Sequence, residues 1–381
     1  MSRVPGTVPT EGPSLQRDSP HGGTVPLVLE KALAGERISD GEALALLESK
    51  DLVAIGKAAE ALRGRRTDPG RITFIIDRNV NYTNVCVTDC DFCAFYRRPG
   101  DRAEGYLLPK TVIFKKIEET LAIGGTGVLM QGGHHPDLAV DYYEDLFRSI
   151  KERYPIHLHA LSPPEIQHIA RRSKLSLPAT LTRLRDSGLD SIPGGGAEIL
   201  VDRVRDVIAP KKTRSADWLN VMRHAHRLGM STTATMMYGH VETLAERIEH
   251  MRRIRELQDE TRGFRAFISW TFQPQGTRLA PLVTHHPTSL EYLLTQAVSR
   301  IYLDNVDHIQ SSWVTQGMKV GQVALGFGAD DLGSVMIEEN VVSAAGTTHR
   351  ASTDDFIRAI KALGKTPVQR DTLYRDVRVW N

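Results

Sequence analysis

The sequence predicts an α/β fold, a (β/α)₈ barrel of the TIM type, because short apolar runs alternate with amphipathic helices along most of the chain. The predicted strands are 72–76, 127–131, 156–161, 189–192, 231–237, 265–272 and 308–313, with a weaker run at 323–327. The predicted helices between them lie near 111–123, 141–153, 164–187 (broken at Pro178), 215–229, 243–260 and 288–304. Eight such units fit a barrel, and a doubly wound open sheet is the alternative because the eighth run is weak.

The helix at 288–304 has the clearest periodicity. Its apolar residues recur at the i, i+3, i+4, i+7 spacing of one helix face. These residues are Leu290, Leu293, Leu294, Ala297, Val298, Ile301 and Tyr302. The same spacing, in weaker form, supports the other helices.

The segments that flank the predicted barrel, 67–330, have their own signals. Residues 1–24 are rich in Pro, Gly, Ser and Thr, which predicts a disordered lead-in. Residues 25–66 have helical spacing and a helix-start signal at 39–42, which predicts an N-terminal helical cap. Residues 331–381 are expected to form a C-terminal extension packed on the barrel.

The composition is that of an ordinary globular protein, with 41% hydrophobic and 25% charged residues in 381. A formal net charge of +2 is too balanced to indicate a nucleic-acid or membrane partner. No apolar stretch approaches the roughly 18 residues of a membrane span, and the first residues lack the apolar core of a secretory signal. Three cysteines without a disulfide framework fit a reducing compartment, so we expect a cytoplasmic location.

The three cysteines of the chain, Cys86, Cys90 and Cys93, all fall within eight residues at C-x₃-C-x₂-C spacing. Three thiolates can hold three corners of a 4Fe–4S cluster, which leaves the fourth iron open to a small-molecule ligand. A structural zinc site is the alternative, although zinc usually has four closed ligands. Three unrelated buried cysteines are a second alternative.

Polar residues that follow the strand runs are candidate site residues, because a barrel of this kind has its active site at the carboxyl ends of its strands. Some of them also have structural explanations. Ser162 and Glu165 have the spacing of a helix capping box, and Arg78 could form an ion pair rather than bind an anionic substrate. His240 and Glu242 are candidate general bases, or a loop histidine and a helix-start residue. The candidates are Arg78, Tyr82, Gln131, Gly132, Gly133, His134, Ser162, Glu165, Glu198, Tyr238, His240, Glu242, Thr271 and Gln273.

The cysteine run, with aromatic Phe92 before its third cysteine and a Gly-Gly-x-x-Pro loop at 132–136, resembles the radical S-adenosylmethionine (SAM) superfamily. The resemblance implies a TIM-type radical SAM barrel, a 4Fe–4S cluster on the three cysteines, and SAM on the open iron. It implies that Phe92 lies against the adenine and that the loop from Gln131 meets the SAM amino group. The other cofactor-binding candidates are Ser162, Glu165 and Glu198.

The resemblance extends to the menaquinone/deazaflavin branch of that superfamily, over roughly residues 40–375. It is carried by the runs NYTNVC at 81–86, CAFYR at 93–97, GAEIL at 196–200 and EENVV at 338–342. Within that branch, YGHVET at 238–243 and SWTFQP at 269–274 look most like the cyclases that act on dehypoxanthine futalosine.

A cyclase of this type would remove the ribose C4′ hydrogen with the 5′-deoxyadenosyl radical and close a carbon–carbon bond to the benzoate ring. Its product feeds menaquinone synthesis. The resemblance then implies catalytic roles for His240, Glu242 and Tyr82. It implies substrate-binding roles for Arg78, His134, Tyr238, Thr271 and Gln273. It also implies an electron donor such as flavodoxin or ferredoxin.

Three alternatives remain open. The deazaflavin synthase half that joins tyrosine to a diaminouracil shares the cysteine motif and the 338–342 segment. Aminofutalosine synthase belongs to the same branch. An iron–sulfur redox sensor or scaffold is the non-enzymatic alternative, but it would need neither the glycine loop nor polar strand ends.

Overall fold

The computed structural model describes residues 25–381, so the predicted disordered lead-in at 1–24 lies outside the described residues. The helices are α1 (Val25–Leu33), α2 (Asp40–Glu48), α3 (Leu52–Arg66), α4 (Lys110–Ala122), α5 (Val140–Lys151), α6 (Pro163–Ser173), α7 (Leu177–Asp186), α8 (Asp202–Ile208), α9 (Ser215–Arg227), α10 (Leu244–Thr261), α11 (Ser289–Tyr302), α12 (Trp313–Gln316), α13 (Met318–Ala324) and α14 (Thr353–Lys361). The strands are β1 (Arg71–Ile75), β2 (Asp77–Val80), β3 (Gly127–Met130), β4 (His157–Ala160), β5 (Ser191–Ile192), β6 (Ser231–Tyr238), β7 (Phe264–Thr271), β8 (His308–Gln310), β9 (Asp331–Ser334), β10 (Thr366–Arg370) and β11 (Asp376–Val379).

The strands form a single curled sheet in the order β11-β10-β1-β9-β8-β7-β6-β5-β4-β3-β2. Neighbouring strands are parallel except for β10 and β11, as expected for strands linked by crossover helices. The alternation of strands and helices confirms the predicted TIM-type α/β fold.

The first barrel strand joins the two sides of the sheet. It consists of β1, which pairs with β9 and β10, and β2, which pairs with β3. The change of partner occurs where the carbonyl of Ile75 accepts a hydrogen bond from Val335 and the carbonyl of Ile76 accepts one from Thr126, each at 3.1 Å. This bend brings the sheet round into a barrel and places residues 77–80 beside the interior.

The predicted strand at 323–327 is wrong. Val323 and Ala324 end α13, and the next residues continue in tight turns, with the amide of Phe327 bonded to the carbonyl of Ala324 at 2.9 Å. The eighth barrel strand is β9, within the stretch predicted as the C-terminal extension. Its Asp331 is buried because Arg370 pairs with it, at 2.6 Å and 2.9 Å. A strand with an acidic first residue and a glycine does not have the apolar pattern on which the prediction relied.

The predicted long helix at 164–187 is two helices. Lys174 ends α6 in the left-handed conformation, with φ of 55°. Pro178 then lies in the first turn of α7, where its missing amide proton is not needed. The break predicted at Pro178 therefore falls a few residues earlier.

The regions beside the barrel cover its outside. In the N-terminal region, Arg37 on the connection after α1 pairs with Asp259 of α10 at 2.5 Å. In the C-terminal region, Phe356 and Trp380 pack on Phe74 of β1, with ring centres 5.5 Å and 5.3 Å away. None of the helices within residues 25–381 has the length and apolar character needed to cross a bilayer.

Candidate active site

A cavity of about 300 Å³ lies inside the curled sheet. Its walls come from side chains that alternate along the strands, such as Thr233 and Thr235 of β6 and Ile268 and Trp270 of β7. The three glycines 194–196, which follow β5, and the segment 310–315, which begins at the last residue of β8, line the cavity at the ends of those strands. The interior is therefore a mixed polar and apolar pocket that one small molecule can enter.

The cysteine loop follows β2. Cys86 and Cys90 are buried, and Cys93 is partly exposed. Burial raises the pKa of Cys90 to about 12 and also raises the pKa of Cys93, so binding to iron must supply the energy to deprotonate these thiols.

The cysteine loop supplies three thiolates, one fewer than the four closed ligands of a typical structural zinc site. A cubane instead takes each thiolate on a separate iron, which matches three cysteines on one loop.

The loop after β3 that contains Gly132 and Gly133 packs directly against the cysteine loop. The amide of Gly133 donates to the carbonyl of Thr83 at 2.9 Å, and the amide of Val87 donates to the carbonyl of His134 at 3.1 Å. A Cβ atom at Gly133 would overlap the carbonyl of Val85. The cysteine motif and the Gly-Gly-x-x-Pro motif, which together carry the family resemblance, are therefore neighbours in space.

Glu165 and Ser162 form the capping box at the start of α6. The Glu165 carboxylate accepts from the amide and hydroxyl of Ser162, at 2.8 Å and 2.6 Å. It also accepts from the amide of Gly132 and the hydroxyl of Tyr82, both at 2.9 Å. With four donors the carboxylate has no acceptor position left for a ligand. Glu165 and Ser162 therefore hold the Gly132–Gly133 loop in place.

Tyr82 lies beneath that loop rather than beside the cavity. The residue is fully buried, and a Cβ atom at Gly132 would lie 2.7 Å from its ring. Burial raises the pKa of Tyr82 well above its usual value, and the Glu165 carboxylate adds to the effect. We therefore interpret Tyr82 as a support for Gly132 and not as a catalytic group.

Glu198 lines the cavity with an unused acceptor. Its Oε1 accepts from the Lys212 ammonium at 2.9 Å. Its Oε2 is buried and has no hydrogen-bond partner among the described residues. Lys212 also lies 4.9 Å from the ring centre of Phe92, on the cysteine loop. The Arg205 guanidinium lies 3.6 Å from this Oε2, and the role in ribose binding expected for Glu198 stays a prediction.

Gln131 also lines the cavity, at the end of β3. Its side-chain amide lies against Gly195, where a Cβ atom would overlap it. Gln131 and Glu198 thus line the cavity, and Phe92 lies on the cysteine loop; their expected roles in SAM binding stay predictions.

Both ring nitrogens of His240 have partners in the turn after β6. Nε2 lies 3.0 Å from the carbonyl oxygen of Met237, and Nδ1 accepts from the amide of Val241 at 2.8 Å. The imidazole is completely buried, and this burial lowers the pKa of His240. A role as general base would require these bonds to break.

Glu242 fixes the same turn. Its carboxylate accepts from the amides of Gly239 and His240, at 2.7 Å and 2.9 Å, and from the Arg247 guanidinium at 2.8 Å. Burial alone would raise the pKa of Glu242, but His240, Arg247 and the two amides together lower it. These hydrogen bonds give His240 and Glu242 a structural role in the turn, which is the alternative to their predicted role as general bases.

Three predicted substrate contacts lie at or behind the strand ends. Tyr238 packs under the guanidinium of Arg247, 4.4 Å from its ring centre. The Thr271 hydroxyl accepts from Gln316 at 2.6 Å. The Gln273 side chain folds back and donates to the carbonyl of Thr271 at 3.0 Å. Along β7, Ile268 and Trp270 are the residues that line the cavity.

Arg78 and His134 also have structural partners. Arg78 donates to Glu119 of α4 at 2.6 Å, on the outside of the sheet, as the ion-pair alternative proposed. The His134 ring is buried, lies 2.5 Å from the Thr88 hydroxyl, and stacks on His168 with ring centres 5.1 Å apart. Burial lowers the pKa of His134 well below its usual value. Neither side chain lines the cavity, so their expected roles in substrate binding stay predictions.

Several cavity-lining residues were missed by sequence reasoning. They include Asp77, His159, Gln310, Glu339, Arg370 and Tyr374. Asp77 could have been found from its position, because it alternates with Arg78 and therefore faces the opposite side of β2. Arg370 and Tyr374 come from the C-terminal hairpin, which no motif connects to the barrel.

Comparison with known proteins covers almost the whole described chain. Residues 80–254 match the radical SAM superfamily, and residues 261–380 match the CofH/MqnC C-terminal region. Cyclic dehypoxanthine futalosine synthase of Halalkalibacterium halodurans is 48% identical over 354 residues, which is 93% of this chain and 95% of that protein. The enzyme of the same name from Streptomyces coelicolor is 48% identical over 91% of this chain and 87% of its own length.

More distant similarities follow the same pattern. Aminodeoxyfutalosine synthase of Thermus thermophilus is 40% identical over 93% of this chain and 96% of its own length. The crystal structure of methylornithine synthase (PylB) matches with a TM-score of 0.69 at 19% identity, covering 89% of this chain and 97% of that chain. This structural match supports the barrel fold independently of the sequence motifs.

Proposed function

The chain belongs to the radical SAM superfamily, in the group with a CofH/MqnC C-terminal region, and from this we propose that it is a radical SAM oxidoreductase that cyclises dehypoxanthine futalosine. The observation that carries the proposal is full-length similarity at 48% to two enzymes named for this product, against 40% for the aminodeoxyfutalosine synthase. The cavity inside the barrel, beside the cysteine loop, provides a place for the reaction.

The cofactors are a 4Fe–4S cluster and SAM. Cys86, Cys90 and Cys93 would hold the cluster. When bound, these groups supply reductive cleavage of SAM and an adenosyl radical that removes a hydrogen atom from the substrate. Phe92 would lie against the adenine, and the free oxygen of Glu198 would accept a hydrogen bond from a ribose hydroxyl.

The remaining residues position the reactants and exclude water. Leu129, Ile268 and Trp270 supply apolar walls in which a reactive species meets few alternative hydrogen donors. Glu165 holds the amide of Gly132 at 2.9 Å and so fixes the loop that would meet SAM. A rigid site of this kind keeps the reacting atoms within short reach.

Reductive cleavage of SAM needs one electron from a reductant. We infer a small one-electron carrier such as a flavodoxin or ferredoxin, in the cytoplasm, where the thiols stay reduced. Cys93 is the partly exposed cysteine of the loop, so we infer that such a donor approaches near it.

The proposal is tested by anaerobic reconstitution of the cluster followed by addition of SAM, reductant and dehypoxanthine futalosine. Mass spectrometry should detect a cyclised product that lacks two hydrogens, together with 5′-deoxyadenosine. Cys90→Ala, which removes one cluster ligand, should form neither. If wild-type protein makes deoxyadenosine only with tyrosine and a diaminouracil, the sister activity replaces the proposed one.

A further inference from the structure

Among the residues that the structure describes, three carboxylates line the cavity, and two of them have backbone amides or a cation as partners. Glu339 accepts from the amides of residues 341, 342 and 343 at 2.7–2.9 Å. Glu198 forms an ion pair with Lys212. The third carboxylate, Asp77, receives its hydrogen bond from the hydroxyl of Ser334, among the residues that the structure describes.

Asp77 is held in place without an ion pair. It begins β2 immediately after the bend at Ile76, and its neighbour Arg78 points to the outer helices. The Ser334 hydroxyl that donates to Asp77 also accepts from the amide of Met336 at 2.8 Å, which fixes its direction. The carboxylate is therefore oriented by a neutral donor and remains available to the cavity.

The charged groups around Asp77 leave its proton affinity high. Arg370, a cation that acts on Asp77, is bound through two hydrogen bonds to Asp331. Burial raises the pKa of Asp77 to about 6; the Ser334 hydrogen bond and Arg370 lower it, and Asp331 raises it further. At neutral pH such a group is mostly ionised and is a base of useful strength.

The proposed reaction needs a base inside the cavity. Bond formation at an aromatic ring carbon leaves that carbon with both its hydrogen and the new carbon–carbon bond. The carbon–hydrogen bond must then break, with its electron pair entering the ring and its proton going to a base. One surplus electron must leave for a one-electron acceptor, an oxidised flavin or iron–sulfur carrier. His240 and Glu242, which the sequence suggested for this task, are locked in the turn after β6.

We propose that Asp77 is the catalytic base that accepts the ring proton, an assignment that rests on the proposed cyclase function. The substrate class is thus an aromatic ring that undergoes radical attack and must lose a proton within the barrel. Ser334 is the positioning residue, because it acts on the substrate only through Asp77.

The test compares Asp77→Asn with wild-type protein, both with verified clusters. The amide keeps the size of the carboxyl group but cannot accept the proton. We expect the ratio of cyclised product to 5′-deoxyadenosine to fall at least 100-fold, as is usual when a general base is lost. Freeze-quench EPR should show an organic radical that accumulates. Arg78→Gln, on the outer face of the same strand, should keep the wild-type ratio.

A pH profile separates a catalytic from a structural role. Wild-type product formation should rise with pH through an apparent pKa near 6. Ser334→Ala should move this rise to higher pH, because the charged form of Asp77 loses a donor. An Asp77→Asn protein with the wild-type ratio overturns the assignment while leaving the cyclase function intact. Wild-type protein that forms no cyclised product overturns both.

Discussion

The carboxylate of Glu165 accepts a hydrogen bond from the backbone amide of Gly132 at 2.9 Å and thereby links the start of α6 to the glycine loop after β3. The same carboxylate caps its helix through Ser162. One buried side chain thus fixes both a secondary-structure boundary and the loop that we propose meets SAM. Its structural and functional explanations are not exclusive, since positioning the loop is how it serves the site.

We expect Glu165→Gln to destabilise the protein by about 1–3 kcal/mol, because an amide cannot accept from all the buried donors around it. Apparent SAM affinity should fall as well, since the Gly132 amide loses its anchor. Urea unfolding and SAM titration measure the two effects. Tyr82→Phe removes a single donor and should cost about 1 kcal/mol. Equal stability of wild-type and Glu165→Gln protein would contradict this role.

We expect Gly133→Ala to lower the iron and sulfide content of the reconstituted protein severalfold. The added methyl group would overlap the carbonyl of Val85 and push the cysteine loop away. Gly41→Ala is the control, because a Cβ atom at Gly41 in α2 meets no atom within 4 Å. Normal cluster content in Gly133→Ala would mean that the two loops are not rigidly coupled.

His240→Gln should retain cyclisation within a few-fold of the wild-type rate. The glutamine amide can still donate to the carbonyl of Met237, so the turn should survive with a stability loss of about 1 kcal/mol. Product formation and chemical unfolding are the measurements. A variant that cleaves SAM normally but forms no product would return His240 to the role of base.

Asp77→Asn should be more stable than the wild-type protein at pH 8. Burial raises the pKa of Asp77 from 3.8 to about 6, so the folded state binds this proton more tightly than the unfolded chain. Stability therefore falls as pH rises from about 4 to 6, and the full deficit, about 3 kcal/mol, persists above pH 6.

Urea unfolding of both proteins at pH 5 and pH 8 checks this prediction. The advantage of Asp77→Asn should be larger at pH 8. A constant difference at the two pH values would show that Asp77 is ionised as easily as an exposed aspartate.

The sequence was most informative where function depends on contiguous residues. Cys86, Cys90 and Cys93 lie on one loop, and the glycines that pack against them are adjacent in the chain. Alternating apolar segments also predicted most strands, because parallel strands are buried on both faces. These features are local, so their spacing survives in the sequence.

Side-chain direction at the strand ends was harder to predict. A shift of one residue turns a side chain to the other face of a sheet, which is why Trp270 rather than Thr271 lines the cavity. Strand β9 was not predicted because its buried Asp331 pairs with Arg370, which lies almost forty positions later in the chain. Such pairings have no local signal.

The fate of the hydrogen at the ribose C4′ position is the most direct test of the cyclase function. Dehypoxanthine futalosine carrying deuterium at C4′ is turned over with SAM and a reductant, and the products are analysed by mass spectrometry. We predict one deuterium in 5′-deoxyadenosine and a cyclised product that has lost it. Deoxyadenosine without deuterium, formed alongside unchanged substrate, would contradict the proposed function.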